Sequence, residues 1–268
     1  MKPLIIIRGG GDLATGVALR LHRLSFPITI LELDKPLAVR RTVSFSEAVY
    51  TGVQTVEGVS ARLVSADQFQ VTMEAGEIAV LIDPQANILK NQFLMSPQST
   101  FVIDARLLKA EPEPLYTDVA LHIGLGPGFN AGANCHAVIE TRRSHTLGRA
   151  YWQGQTQEDS KQPDGDARRV LRSPANGNVI ASKEIGDFCK AGEKIAEVNG
   201  QPIVSPFDGL LRGLIHSRVE VTEGMKIGDV DSRTDPDLIR LVSDKSLAIA
   251  GGVMEVVLMK LNELEAKL

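Results

Sequence analysis

The residues best suited to chemistry stand near the start of the chain. Gly9, Gly11 and Ala14 form a G-x-G-x-x-A pattern, with Gly10 between the first two. In a dinucleotide-binding turn each position meets a physical demand. Gly9 permits the tight turn, Gly11 lets backbone approach a pyrophosphate, and Ala14 lets the following helix sit close on its sheet. The helix start offers free N–H groups and a partial positive charge. Glu32 lies 21 positions after Gly11 (32 − 11), the distance expected of an acid that accepts from a ribose hydroxyl. Asp12 complicates this. Its carboxylate either caps the helix amides and repels a phosphate, or leaves them to a ligand. Arg40 and Arg41 either hold a 2′-phosphate or another anion, or pair with Glu47 or Asp34 at the surface. Gly11 and Gly16 have P-loop spacing, but Val17-Ala18 replaces the lysine and hydroxyl residue that a P-loop needs.

A second glycine loop runs Gly124-Leu125-Gly126-Pro127-Gly128-Phe129-Asn130-Ala131-Gly132. Gly126, Gly128 and Asn130 are candidates for holding an anion on successive N–H groups, and a plain long hairpin is the alternative. Arg142, Arg143, His145 and Arg149 follow as a basic cluster. His145 is the candidate proton carrier, or simply an exposed histidine. Cys135 is the candidate thiol beside the loop, or a small buried hydrophobe. Neither G-x-S-x-G nor H-E-x-x-H occurs, so no hydrolase or metal motif stands out.

These residues need elements to position them. Leu4 to Ile7 is a fully apolar, β-branched run of the buried parallel kind. Leu13, Val17, Leu21 and Leu24 then recur at helical spacing, and Ile28 to Leu31 is a second apolar run. Runs ending in Asp83 and Asp104 read as later strands, whose acids lie at a ligand rim or cap helices. Ser173-Pro174 matches Ser205-Pro206 at a period of 32 (205 − 173). Gly177 then falls on Gly209, Gly192 on Gly224, Lys194 on Lys226 and Val198 on Val230. A period of this size signals duplicated supersecondary units. Two such units resemble a biotinyl/lipoyl-type barrel-sandwich hybrid. The hairpin between them, Asn199-Gly200-Gln201-Pro202, lacks the carrier lysine, so neither covalent biotin nor lipoate is expected. Residues 246–268 have helical spacing, and Gly251-Gly252 implies close backbone contact, within the fold or at a dimer interface. The expected architecture is therefore α/β. A Rossmann-like parallel sheet with a nucleotide-binding region and second glycine loop spans 1–150. A barrel-sandwich module spans 170–232, and a helical segment spans 233–268. The polar stretch from 153 to 169 reads as a linker.

Composition excludes other classes. The chain has 268 residues, with 29 Lys plus Arg against 33 Asp plus Glu. The formal net charge of −4 and the few aromatic residues argue against nucleic-acid binding. Two cysteines without a C-x-x-C fit a reduced, cytoplasmic setting. No apolar run is long enough to imply a membrane span.

Five segments in this order, IIIRGGGDLATGVA, PLAVRRTVSFSE, GLGPGFNAG, residues 173–231 and SDKSLAIAGGV, together resemble the YqeB-type accessory proteins of selenium-dependent molybdenum-hydroxylase systems. The resemblance implies support for maturation of a molybdenum hydroxylase, or handling of its molybdopterin cofactor. It carries over no catalytic residues. Three functions are then open. The first is a nucleotide-binding accessory protein whose ligand is NAD(P) or a molybdopterin dinucleotide. The second is an NAD(P)-dependent oxidoreductase. The third is a non-catalytic scaffold docking a hydroxylase. A homo-oligomer is compatible with each.

Overall fold

A computed structural model describes residues 2–91, 96, 99–115, 117–158 and 165–266. Part of the expected linker, 159–164, lies outside the described residues. The apolar runs form strands where hydropathy places them: β1 (Leu4–Arg8), β2 (Ile28–Glu32), β5 (Ile78–Ile82) and β6 (Thr100–Asp104). Helix α1 (Asp12–Arg23) joins β1 to β2 and buries Leu13, Ala14, Val17 and Leu21. Between β2 and β5 lie the short α2 (Ala48–Thr51), a hairpin of β3 (Val53–Val56) and β4 (Val59–Leu63), and the short α3 (Phe69–Glu74). After β6 come β7 (Leu121–Leu125), β8 (Asn130–Ala131), β9 (Ala137–Ile139), β10 (Ala150–Tyr151) and β11 (Gly154–Gln155).

Nine of these strands form one mixed sheet in the order β10-β9-β7-β6-β1-β2-β5-β4-β3. Its centre is parallel, and its two rims, β10 on β9 and β3 on β4, are antiparallel. Side chains alternate across it. Ile5 and Ile7 face the larger core with α1, while Ile6 faces a smaller one with Leu31, Phe69, Leu81 and Val102.

The Rossmann expectation is corrected by this topology. A dinucleotide-binding module repeats the strand–helix crossover on both faces. In this chain the crossover is repeated only in part: the β3–β4 hairpin and α2 carry the chain from β2 to β4, the short α3 joins the parallel β4 and β5, and only a 3-10 turn is described between β5 and β6. The place of further crossover helices is taken by α4 (Asp244–Glu265) from the far end of the sequence, packed on α1, β7, β9 and β10. Two glycines allow that packing. A Cβ on Gly16 would lie 2.7 Å from Ser246 Cβ, and one on Gly252 only 2.0 Å from the Gly148 carbonyl oxygen. Gly251 touches nothing, so the close contact expected of the pair belongs to Gly252.

The repeat builds β12 (Val170–Arg172), β13 (Gly177–Ala181), β14 (Phe188–Cys189), β15 (Lys194–Val198), β16 (Gln201–Val204), β17 (Gly209–Leu214), β18 (Glu220–Val221) and β19 (Lys226–Asp231). They form two four-stranded antiparallel sheets, β12-β19-β17-β14 and β16-β15-β13-β18. Each sheet takes a short strand from the other repeat unit, β14 in one and β18 in the other. The expectation of a biotinyl/lipoyl-like barrel is also corrected. The module expected at 170–232 does not stand apart: it is two four-stranded sheets fixed to the first half. Gly213 of β17 abuts the Val39 carbonyl, where a Cβ would approach to 2.7 Å. Val39 and Tyr50 pack into the core of the two sheets, and Tyr50 stacks on His216.

Candidate functional site

A polar cleft of about 790 Å³ opens where the start of α1, the 238–245 segment before and into α4, and the β17–β19 hairpin converge. Helix α1 begins at Gly11, which has no side chain to cap it. Asp12 does not seal the helix start. Its Oδ2 instead accepts from Arg40 Nη1 at 3.2 Å. Arg40 Nη2 donates to the Leu238 carbonyl at 3.0 Å. Only a tenth of the Arg40 side chain is exposed, and its buried Nε has no hydrogen-bond partner. A buried, unpaired donor of a charged group is costly, so an acceptor brought there gains more than a surface contact would.

The rest of the wall is ion-paired. Arg212 binds Asp229 at 2.7 Å and Asp231 at 3.0 Å, Arg169 also pairs with Asp229, and Arg233 binds Asp231 at 2.7 Å. The Arg233 hydrogen bonds hold the Asp231 carboxyl down at about 2, and Arg143 does the same for Asp244. Burial draws Arg212 below the usual arginine range. Because its charges are nearly balanced, the cleft suits an anion that exchanges places with an aspartate rather than one drawn in by excess positive charge. None of its lining residues is His or Cys.

The structure separates the residues singled out in the sequence. Asp12 and Arg40 meet in the cleft. Gly9 takes a positive φ of +87° against Ala105, and Gly11 faces open space. Gly10 is enclosed: its N–H donates to Glu32 Oε2 at 2.7 Å, and its carbonyl accepts from Ser46 N–H at 2.9 Å. Glu32 also accepts from the Leu33 N–H at 2.7 Å and is 8% exposed. Its carboxylate thus ties the glycine turn to β2 instead of facing a ribose. Burial raises its pKa despite these two bonds. Ala14 lies on the buried face of α1. Arg41 turns away from Arg40 and pairs with Glu47 at 2.6 Å. The second glycine loop is elsewhere. Gly128 is pressed against the Leu108 and Ala110 carbonyls, Gly126 lies against Thr141, and Asn130 N–H is held by Asn134. These glycines permit close chain packing. His145 is exposed. Burial pushes the Cys135 thiol up to about 11, so it remains protonated.

Sequence reasoning missed a partly buried network at the ends of β1 and β6. Arg8 binds Asp104 at 3.3 Å and Glu113 at 2.5 Å, and Arg106 binds both acids. Asp104 was legible as a strand-end acid, but its partners are too distant in sequence to foresee. Asp83, by contrast, caps a turn, accepting from the Asn87 and Ile88 amides. Beside the network, His122 is 6% exposed and its Nε2 has no partner. No cluster of three or more metal-ligating side chains occurs among the described residues, and no described helix is long and apolar enough to cross a membrane.

Comparison with known proteins adds a sequence relative and distant structures. The chain is 41% identical over 266 residues, 97% of its length, to the uncharacterized protein YqeB of Escherichia coli (strain K12). It spans about half the length of that relative, 48%. No family model matches. Among solved structures it is similar to an aspartoacylase family protein from Mesorhizobium loti (12% identity, TM-score 0.24, covering 85% of this chain and 84% of that one). It is also similar to a succinylglutamate desuccinylase/aspartoacylase from Rhodobacter sphaeroides (8%, TM-score 0.28, 85% of each chain). At such scores they assign no activity to this chain.

Proposed function

We propose that the chain is an accessory protein that binds a phosphate-bearing small molecule in the polar cleft. In this reading it serves maturation of a selenium-dependent molybdenum hydroxylase, or the handling of that enzyme's molybdopterin cofactor, in the cytoplasm. The observation that carries the binding half is Arg40: nine-tenths buried, with an unpartnered Nε, beside a helix start that its neighbouring aspartate leaves uncapped. A phosphate oxygen satisfies the orphaned donor and meets the partial positive charge of α1. The resemblance of the five sequence segments supports the maturation half. The dinucleotide reading with a ribose-binding Glu32, and with it the NAD(P)-dependent oxidoreductase, is not retained, because that carboxylate is buried and bonded to the Gly10 amide of the glycine turn itself.

Thermal unfolding with inorganic pyrophosphate, nucleoside diphosphates and the corresponding phosphate-free nucleosides tests the binding half. A ligand at 100 times its Kd stabilises by about 2.7 kcal/mol. A rise in Tm with the phosphate-bearing compounds that is absent in Arg40→Ala is the expected result. Affinity capture with the full chain tests the other half, with a molybdenum hydroxylase or a cofactor-synthesis protein as the expected partner.

A further inference from the structure

A second cleft, of about 530 Å³, lies on the other side of the strap that carries Arg40 and Arg41. Its walls come from the 41–54 segment, β13 and the end of β17. Arg41 is fixed there, donating from Nε to the Leu214 carbonyl at 2.8 Å and from Nη1 to Glu47 Oε1 at 2.6 Å. Gln54 Nε2 donates to the Thr42 carbonyl at 3.0 Å. That leaves three acceptors in the wall. Glu47 Oε2 and Gln54 Oε1 receive no hydrogen bond from the described residues, and Thr42 Oγ1 is buried with no partner at all. His216 supplies a flat surface. One face of its ring is stacked on Tyr50 (centroids 3.7 Å apart, planes 3° from parallel), its Nδ1 accepts from the Arg218 N–H, and the ring lines the cleft. Val179, Ile185 and Ile215 complete an apolar lining.

We propose that this cleft binds a planar nitrogen heterocycle that presents adjacent N–H groups along one edge, as guanine does. Stacking on the His216–Tyr50 pair holds the plane, and the acceptors of Glu47, Gln54 and Thr42 read the edge. A carboxylate has about four lone-pair sites, so Glu47 keeps Arg41 while accepting from the ligand. Stacking of a base on an aromatic ring tolerates many heterocycles, and the acceptor row supplies the selection. The site is separate from the phosphate cleft, and the inference does not rest on the function proposed above.

Equilibrium dialysis of the full chain with guanosine tests it, since a nucleoside carries no phosphate and does not report on Arg40. Saturable binding is expected, weakened at least tenfold in His216→Ala and in Thr42→Val and unchanged when millimolar pyrophosphate is added. Thr42→Val is nearly isosteric and removes only an unpartnered hydroxyl. A purely structural Thr42 therefore predicts unchanged binding and unchanged or higher Tm, whereas the ligand role predicts lost binding at unchanged Tm. N1-methylguanosine, which lacks one N–H of the edge, is expected to bind at least tenfold more weakly. Absence of saturable binding at millimolar guanosine, equal binding in both variants, or equal affinity for the methylated nucleoside overturns the proposal.

Discussion

His122 gives the chain an acid-sensitive core. Its ring is 6% exposed on β7, edge-on to Phe129, and its Nε2 has no partner. Burial is the main cause that pulls its pKa down to about 4. Asp104 opposes this, and His136, Arg8 and Arg106 add to it. The unfolded chain takes up the proton near 6.5, so between pH 6.5 and 4 the unfolded state binds more protons than the native one. Stability is thus full above pH 6.5 and falls as pH drops toward 4. At 1.36 kcal/mol for each pH unit, two and a half units amount to about 3 kcal/mol. Replacing His122 by Leu removes both the titration and the orphaned nitrogen. Urea unfolding of the two proteins at pH 7 and pH 4 should show the variant at least as stable as the parent at pH 7. At pH 4 the variant should be ahead by about 3 kcal/mol more. If the gap between them is the same at both pH values, the ring is solvated or paired in solution and the reasoning fails.

The helix contact makes a paired prediction. Gly252→Ala forces a Cβ to 2.0 Å from a carbonyl oxygen and should lower stability by more than about 2 kcal/mol. Gly251→Ala meets nothing and should raise it by up to about 1 kcal/mol through helix propensity; both are read as Tm. Burial keeps the thiols of Cys135 and Cys189 protonated, so iodoacetamide at pH 7.5 should label neither until denaturant is added, as mass spectrometry can show. Glu32→Ala leaves the Gly10 and Leu33 amides without their acceptor and should cost about 2 kcal/mol in urea unfolding, whether or not any nucleotide is present.

Local pattern reached some of this structure and stopped where distance in sequence took over. The β1–α1–β2 unit was legible because an unbroken apolar run and a four-and-three spacing are local signals, and the 32-residue repeat places β13 with β17 and β15 with β19. The Rossmann extrapolation failed because one crossover unit says nothing about the next. The hairpin of β3 and β4 did carry a signal that was passed over: Glu57-Gly58, both at positive φ, makes the tight two-residue turn. The Arg41–Glu47 pair is legible because its members stand six residues apart. The Asp12–Arg40 pair, the Arg8–Asp104 network and the seating of α4 on Gly16 depend on residues that meet only after folding.

The binding claim rests on Arg40, and calorimetric titration of the full chain with inorganic pyrophosphate addresses it most directly. Saturable binding by the parent, weakened at least tenfold in Arg40→Ala at a temperature where circular dichroism shows the variant folded, is the predicted result. Heat that never saturates at millimolar pyrophosphate, or equal affinity in the variant, would contradict it.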